Sequence, residues 1–221
     1  MADKKKTEVP EEPVKKKGVI MRNMMMLALL ALAVIGGLTY LTFDPQSLVD
    51  IEGYNKSKPM LPPLGRDVGA VLAAAHKGQK PAKISEEEIN DYIQRTLKLE
   101  QGGAFAGHVE LKGVWVRLED GVAEVIIERE LMAKRRHTIA FRFRVEQTEG
   151  PDGQVLTQLD PLGGRFGRTK VPEGYLHLVM GSFNSLIRAY GGELDVLKKM
   201  VQGMTRVTIA DGELVLTPPD A

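Results

Sequence analysis

From Asn23 to Phe43 the chain reads NMMMLALLALAVIGGLTYLTF, 21 residues without a charge. A helix of that length, rising about 1.5 Å per residue, covers the roughly 30 Å of a bilayer's hydrocarbon core. No polar face interrupts it, so it does not read as a core helix of a water-soluble fold. Nor does it read as a cleaved signal peptide, because it ends in Thr39-Tyr40-Leu41-Thr42-Phe43 and not in a small-x-small site. The expectation is a transmembrane helix over residues 19–43, with Tyr40 at the aromatic belt of its outer end. Gly36-Gly37 does not complete a G-x-x-x-G contact motif.

Charge sets the expected orientation. Met1 to Arg22 holds seven Lys/Arg (Lys4, Lys5, Lys6, Lys15, Lys16, Lys17, Arg22) against four acids, while only Asp44 and Asp50 follow the apolar run closely. Positive flanks stay in the cytoplasm, so residues 1–18 are expected to be a basic cytoplasmic tail of an inner-membrane protein, with the rest outside. Beyond Arg22 the 23 basic residues are outnumbered by 25 acids. That balance argues against nucleic acid as a partner, since phosphate neutralisation needs basic excess on the folded part. The absence of cysteine excludes disulfides, thiolate zinc sites, iron–sulfur clusters and a lipoprotein anchor.

Residues 44–83 contain Pro45, Pro59, Pro62, Pro63 and Pro81 and are expected to form an extracytoplasmic stalk. One short helix interrupts it at DVGAVLAAAHKG, with Asp67 as N-cap and Gly78 as its stop. The folded domain is expected over 84–218. It opens with KISEEEINDYIQRTLKL, where Ser85 and Glu88 form an S-x-x-E capping box, Ile84 and Ile89 a hydrophobic staple, and Ile89, Ile93 and Leu97 one apolar stripe. Glu86-Glu87-Glu88 reads as compensation of the helix dipole, not as a metal site.

Strands follow. Val114, Val116 and Leu118 alternate with Trp115 and Arg117, the chain turns at Glu119-Asp120-Gly121, and VAEVIIERE returns. Ile139, Phe141, Phe143 and Val145 alternate with Ala140, Arg142 and Arg144 before a turn at EGPDG, and QVLTQLD is a further strand. Leu176, Val179, Met180, Phe183, Ile187 and Tyr190 fall at helical spacing, Gly191-Gly192 is expected to end that helix, and a short helix Glu193 to Val201 precedes a last hairpin, TRVTIADGELVLTP. The fold class is therefore α+β: an N-terminal transmembrane helix, then an antiparallel curved sheet packed on amphipathic helices.

Three segments invite a reading as chemistry. PLGGRFGRTKVPEGY, Pro161 to Tyr175, has the glycines and cations of a phosphate loop, but its Lys170 is misplaced for G-x-x-x-x-G-K-[ST] and Pro172 separates it from the helix. Its glycines are read as backbone devices joining strand to helix, with Arg165 and Arg168 as candidate anion contacts. AKRRH, Ala133 to His137, is a basic cluster that Arg142 and Arg144 could extend. The four histidines, His76, His108, His137 and His177, show no metal-ligand spacing and read as surface or cap residues, and Ser182 in MGSFNS lacks the second glycine of a nucleophile elbow. No catalytic residue, metal site or cofactor is assigned.

ISEEEINDYI, the strand pair around VWVRLEDGVAEVII, the joint GRTKVPEGYL and the closing RVTIADGELVL, behind a basic tail and one membrane helix, together resemble the YpmS-like group of bacterial single-pass membrane proteins over roughly Ile84 to Thr217. The chain departs from that group in lacking apolar residues where GRTKVP stands. The resemblance implies an extracytoplasmic α+β domain without established catalytic residues. The functional expectation is a membrane-proximal binding or scaffolding protein of the cell envelope, with membrane lipid and another envelope protein as the candidate partners. A lipid tail or partner helix would lie in an apolar groove lined by Leu176, Met180 and Phe183 beside Arg165 and Arg168. The alternative is an envelope-polymer hydrolase using Asp160 and Glu173.

Overall fold

The computed structural model describes residues 17–54, 66–77, 80–96, 108–132, 135–150 and 155–218. Leu97, Gly78, the prolines at 59, 62 and 63, Ala133, and the centre of the EGPDG turn lie outside the described residues, as does the tail up to residue 16. Two compact units divide the chain at Tyr40/Leu41. The first contains most of helix α1 (Lys17–Phe43), in which Met21–Phe43 is long and apolar enough to cross a membrane, with a mean hydropathy of 2.2. Its apolar side chains are exposed on every side.

The second unit is α+β, as the periodicities predict. Its elements run α2 (Val68–His76), β1 (Ala82–Ser85), α3 (Glu86–Thr96), β2 (Val109–Glu119), β3 (Val122–Leu131), β4 (Arg135–Glu149), β5 (Val155–Phe166), β6 (Thr169–Val171), a 3-10 turn (Glu173–Tyr175), α4 (Leu176–Gln202), β7 (Arg206–Ala210) and β8 (Glu213–Thr217). Strands β2 to β6 form an antiparallel curved sheet in sequence order, and β1-β8-β7 form a second, three-stranded sheet.

Local signals are realised where they were strong. Asp67 accepts from Ala70 N at 3.1 Å to cap α2. In the capping box Glu88 N donates to Ser85 Oγ at 3.2 Å and Ser85 N to Glu88 Oε2 at 3.0 Å. Arg66 grips the same carboxylate through Nε and Nη2 at 2.9 and 2.7 Å and holds its pKa below the ordinary range. Asp120 and Gly121 both take positive φ, 51° and 76°, as a two-residue hairpin with primed-turn geometry requires.

The register divides the five-stranded sheet into two faces. One carries Val114, Ile127 and Ile139, packed with Val171 against Val179 and Phe183 of α4. The other carries Trp115, Ile126 and Ala140, and here Leu48 and Ile51 cover the sheet. Leu48 and Ile51, in the segment expected to be stalk, are therefore core. Val68, Leu72 and Ala75 of α2 are likewise buried, against Ile84, Met204, Val207 and Leu216, and the expected boundary at 83/84 cuts through β1.

Two further expectations are corrected. Gly191-Gly192 does not end a helix, since α4 runs unbroken to Gln202. A glycine costs a helix only about 1 kcal/mol, and Met200 and Val201, packed on the α2–β1 cluster, hold the C-terminal half in place. The Pro161–Tyr175 stretch is not a strand-to-helix joint but the end of β5, a tight turn and β6, with Gly164, Arg165 and Phe166 opposite Val171, Lys170 and Thr169. Gly163 sits at φ 107°, and a Cβ there would stand 2.5 Å from Val171 O. Gly167, at φ 52°, would press a Cβ onto the carbonyl oxygens of Leu41, Thr42 and Asp44. The glycines are backbone devices, as expected; the device lets the chain leaving α1 cross the β5–β6 turn.

Candidate functional site

The residues following that crossing strap the second face of the sheet, and they assemble a cluster of charged side chains there. At the entry, Arg168 N donates to Leu41 O at 3.0 Å and its guanidinium pairs with Asp44 at 3.0 Å. Gln46 N then donates to Thr138 Oγ1 at 2.9 Å. Hairpin register sets Arg117 opposite Glu124, and Glu124 opposite Arg142. Arg117 Nη1 meets Glu124 Oε2 at 2.8 Å, while Nη2 reaches Ser47 O at 3.1 Å and Asp50 Oδ2 at 3.0 Å. Arg165 completes the group with Nη1 on Gln46 Oε1 at 3.3 Å and Nε at 3.4 Å from Glu124 Oε1.

This cluster is incompletely satisfied. Among the described residues, Gln46 Nε2, Arg117 Nε, Glu124 Oε1 and Arg165 Nε are buried with no hydrogen-bond partner. Arg117, Glu124, Arg142 and Arg165 line a cavity of about 20 Å³ between them. That volume fits one water-sized group, beside Arg117, Glu124 and Arg165 but not Gln46.

The strap ends at a second polar knot. Tyr54 packs edge-on to Trp115 at 4.9 Å, Arg136 Nη2 donates to its hydroxyl at 2.8 Å, and Glu128 accepts from Trp115 Nε1 at 3.1 Å and pairs with Arg136 at 2.7 Å. Burial, then the Glu128 charge, raises the Tyr54 phenol above its ordinary value.

Glu86, read in the sequence as dipole compensation, is a buried pin. Its Oε1 accepts from Glu52 N at 2.9 Å and its Oε2 from Leu118 N at 2.6 Å, tying strap, α3 and β2 together. Burial raises its pKa above the usual carboxylate range despite those two donors. Asn90 does parallel work: its Nδ2 donates to Glu52 O and Val116 O, and its Oδ1 accepts from Val116 N at 2.7 Å. Glu86 also lines an open cleft of about 410 Å³ with Asp50, Glu52, Glu119, Asp120 and Asp211. Among the described residues no three acids or histidines converge to hold a metal ion, there or elsewhere.

His137 is a buried histidine, only 3% exposed, and not the surface or cap residue expected. It lies between Phe43 and Phe166. Nε2 stands 3.0 Å from Thr42 O, which can only accept, so the proton is on Nε2 and Nδ1 accepts from Arg129 Nε at 3.3 Å. Burial, with the Arg129 charge, depresses its pKa to about 4. Arg129 Nη1 continues to Ser182 Oγ on α4 at 3.3 Å.

The five sequence-predicted residues do not converge. Arg165 is on the strap face and Arg168 in the β5–β6 turn, whereas Phe183 is core on the opposite face, its ring 5.9 Å from that of Phe141. Met180 packs on the same core and Leu176 is half-buried at the start of α4. Asp160 lies opposite Arg144 in the ladder, and Glu173 is exposed in the 3-10 turn. Arg142 faces the Arg117 cavity, so it does not extend a strip with Arg135 and Arg136 as a solvated patch. In comparisons with known proteins, no family model, no curated protein and no solved structure matches the chain.

Proposed function

We propose that this chain is a single-pass protein of a bacterial inner membrane, related to the YpmS-like group, with its N-terminus in the cytoplasm and its α+β unit outside as a binding or scaffolding module. The orientation rests on Lys15 to Lys17 and Arg22 before the apolar run. The observation that carries the functional reading is the strap. The folded unit begins at Leu41, and residues 42–54 are built into the sheet, so no spacer separates the apolar run from the fold. A module that follows a membrane span in the chain serves ligands of the envelope, either a lipid tail or a partner's apolar helix. The apolar groups offered to them are the exposed side chains of Tyr175 in the 3-10 turn and of Leu178 and Ile187 in α4. Hydrolysis of an envelope polymer is less well supported. Of the acids lining the cleft, buried Glu86 has both oxygens committed to backbone donors, and Asp160 and Glu173 are not among the residues lining it.

A reporter active only outside the cytoplasm is expected to work fused after Ala221 and to fail fused before Met1. The full chain purified in mild detergent is expected to carry an enriched lipid class or envelope protein by mass spectrometry, and Leu178→Asp with Ile187→Asp to lose it. The reverse reporter pattern would remove the topology, and retention of the ligand by the double variant would remove the α4 surface.

A further inference from the structure

The two edges of the five-stranded sheet are treated differently. At β2 the outward backbone groups are plugged: Val114 O by Gln94, Val116 N and O by Asn90, Leu118 N by Glu86 and Leu118 O by Gly212 N. At the other edge β6 covers β5 only from Gly164 to Phe166. Among the described residues nothing pairs with the outer edge of Val155 to Pro161, and Leu156 and Leu159 are 55% and 59% exposed there. A bare apolar edge of this kind is a template for another strand.

Proline fixes which groups point outward. Pro161 stands opposite Phe143 in an unbroken register that continues to Val155 opposite Glu149. Having no N–H, it sits where the ladder to β4 needs no donor. Alternation then aims the N–H and C=O of Leu159, Thr157 and Val155 away from β4, and those of Leu156, Gln158 and Asp160 toward it.

We propose that this edge pairs with the same edge of a second copy of the chain, antiparallel, about a two-fold axis at Thr157. That register sets Val155 opposite Leu159 of the other copy, twice, and Thr157 opposite itself, so each outward N–H meets an outward C=O. An apolar pair and a Thr–Thr pair are both favourable across strands. Val155 to Leu159 contains no charge, so self-pairing opposes no like charges, and Pro161 falls beyond the paired residues. Isologous contact of one strand with itself closes as a dimer and leaves no edge to propagate. A strand pair is smaller than the roughly 1,200 Å² of a stable soluble interface, and anchoring both copies in one membrane raises their effective concentration to compensate.

The native chain has no cysteine, which makes the register directly testable. In the proposed pair Leu156 and Gln158 of the other copy are non-hydrogen-bonded neighbours with Cα atoms about 4.5 Å apart, within disulfide reach, whereas Leu156 lies diagonally from its own counterpart. Both side chains are exposed and make no side-chain hydrogen bond among the described residues, so cysteines there leave the fold intact. Full-length Leu156→Cys and Gln158→Cys chains, co-reconstituted in phosphatidylcholine vesicles and mildly oxidised, are expected to give about tenfold more disulfide dimer than either variant alone, and adding Leu159→Lys to both is expected to abolish it. Equal yields from mixed and single samples, no dimer at all, or a dimer indifferent to Leu159→Lys would each overturn the proposal.

Discussion

Gly167→Ala is the substitution that most directly questions the strap. The backbone there is left-handed, φ 52°, which costs an L residue about 1–2 kcal/mol. The added Cβ would also overlap the carbonyl oxygens of Thr42 and Leu41, 2.5 and 2.8 Å away, and that of Asp44. Backbone cannot rotate aside, so the crossing must lift, and the Arg168 N to Leu41 O hydrogen bond goes with it, worth about 0.5–1.5 kcal/mol. Together the loss is about 2–4 kcal/mol, or roughly 4–16 °C in melting temperature at about 2–4 °C per kcal/mol for a chain of this size. Trp115 makes the assay specific. It is the chain's one tryptophan, is 3% exposed, and is covered by Ile51 and Tyr54, so a lifted strap shifts its emission to the red. Gly181→Ala is the control: a Cβ there meets nothing within 4 Å in a helix, and the change is expected to stabilise by up to about 1 kcal/mol. A Gly167→Ala chain that melts like the parent with unshifted emission would refute the account of the crossing.

The arginines of the same stretch are not equivalent. Arg168→Ala removes an ion pair that is largely exposed and is expected to cost less than about 1 kcal/mol, while Arg165→Ala strips a partner from the buried Glu124 and is expected to cost about 1–3 kcal/mol, both read by denaturant titration. Glu86→Gln keeps one acceptor for two backbone donors and turns an amide N–H toward the other, so a loss of about 1–3 kcal/mol is expected by thermal melting. Because the folded state raises its pKa, Glu86 contributes most at acid pH and less as pH rises through that value, so the variant's deficit is expected to shrink toward neutral pH. His137 has the opposite sign: held at about 4 when folded against about 6.5 unfolded, it leaves the unfolded chain binding more protons in that window. Stability is expected to fall from pH 6.5 to 4, and His137→Gln to flatten that slope; an unchanged slope would assign the loss to other groups.

What the sequence made legible is what local rules control. The apolar run, the capping box at Ser85, the hairpin at Asp120-Gly121 and β4 as a strand each need only neighbours in sequence, and each is realised, although Ala140, expected on a polar face, is buried. The misreadings share a cause. Gly191-Gly192 carry a local preference to end a helix, but packing at Met200 and Val201, nine residues on, outweighs it. The prolines of residues 44–83 suggested an extended spacer, yet extended chain is also what lies across a sheet. A strap has no repeat to announce it; Leu48 and Ile51 are its anchors, while Val49 between them is exposed.

The charged cluster divides along the same line. Arg117 opposite Glu124 follows by counting outward from the Asp120-Gly121 turn, and a cross-strand ion pair could have been written down from the hairpin alone. Glu124 opposite Arg142 needs the β3–β4 register, which the sequence leaves open because its turn has no two-residue signature. Asp50 lies 67 positions from Arg117, and Gln46 lies 119 from Arg165, and no spacing rule reaches that far. Glu86 is the instructive case. Three acids in a helix's first turn satisfied a local rule so well that the cheaper explanation closed the question, although dipole compensation is content with exposed carboxylates and only a set of distant backbone donors, Glu52 N and Leu118 N, makes it favourable to bury one.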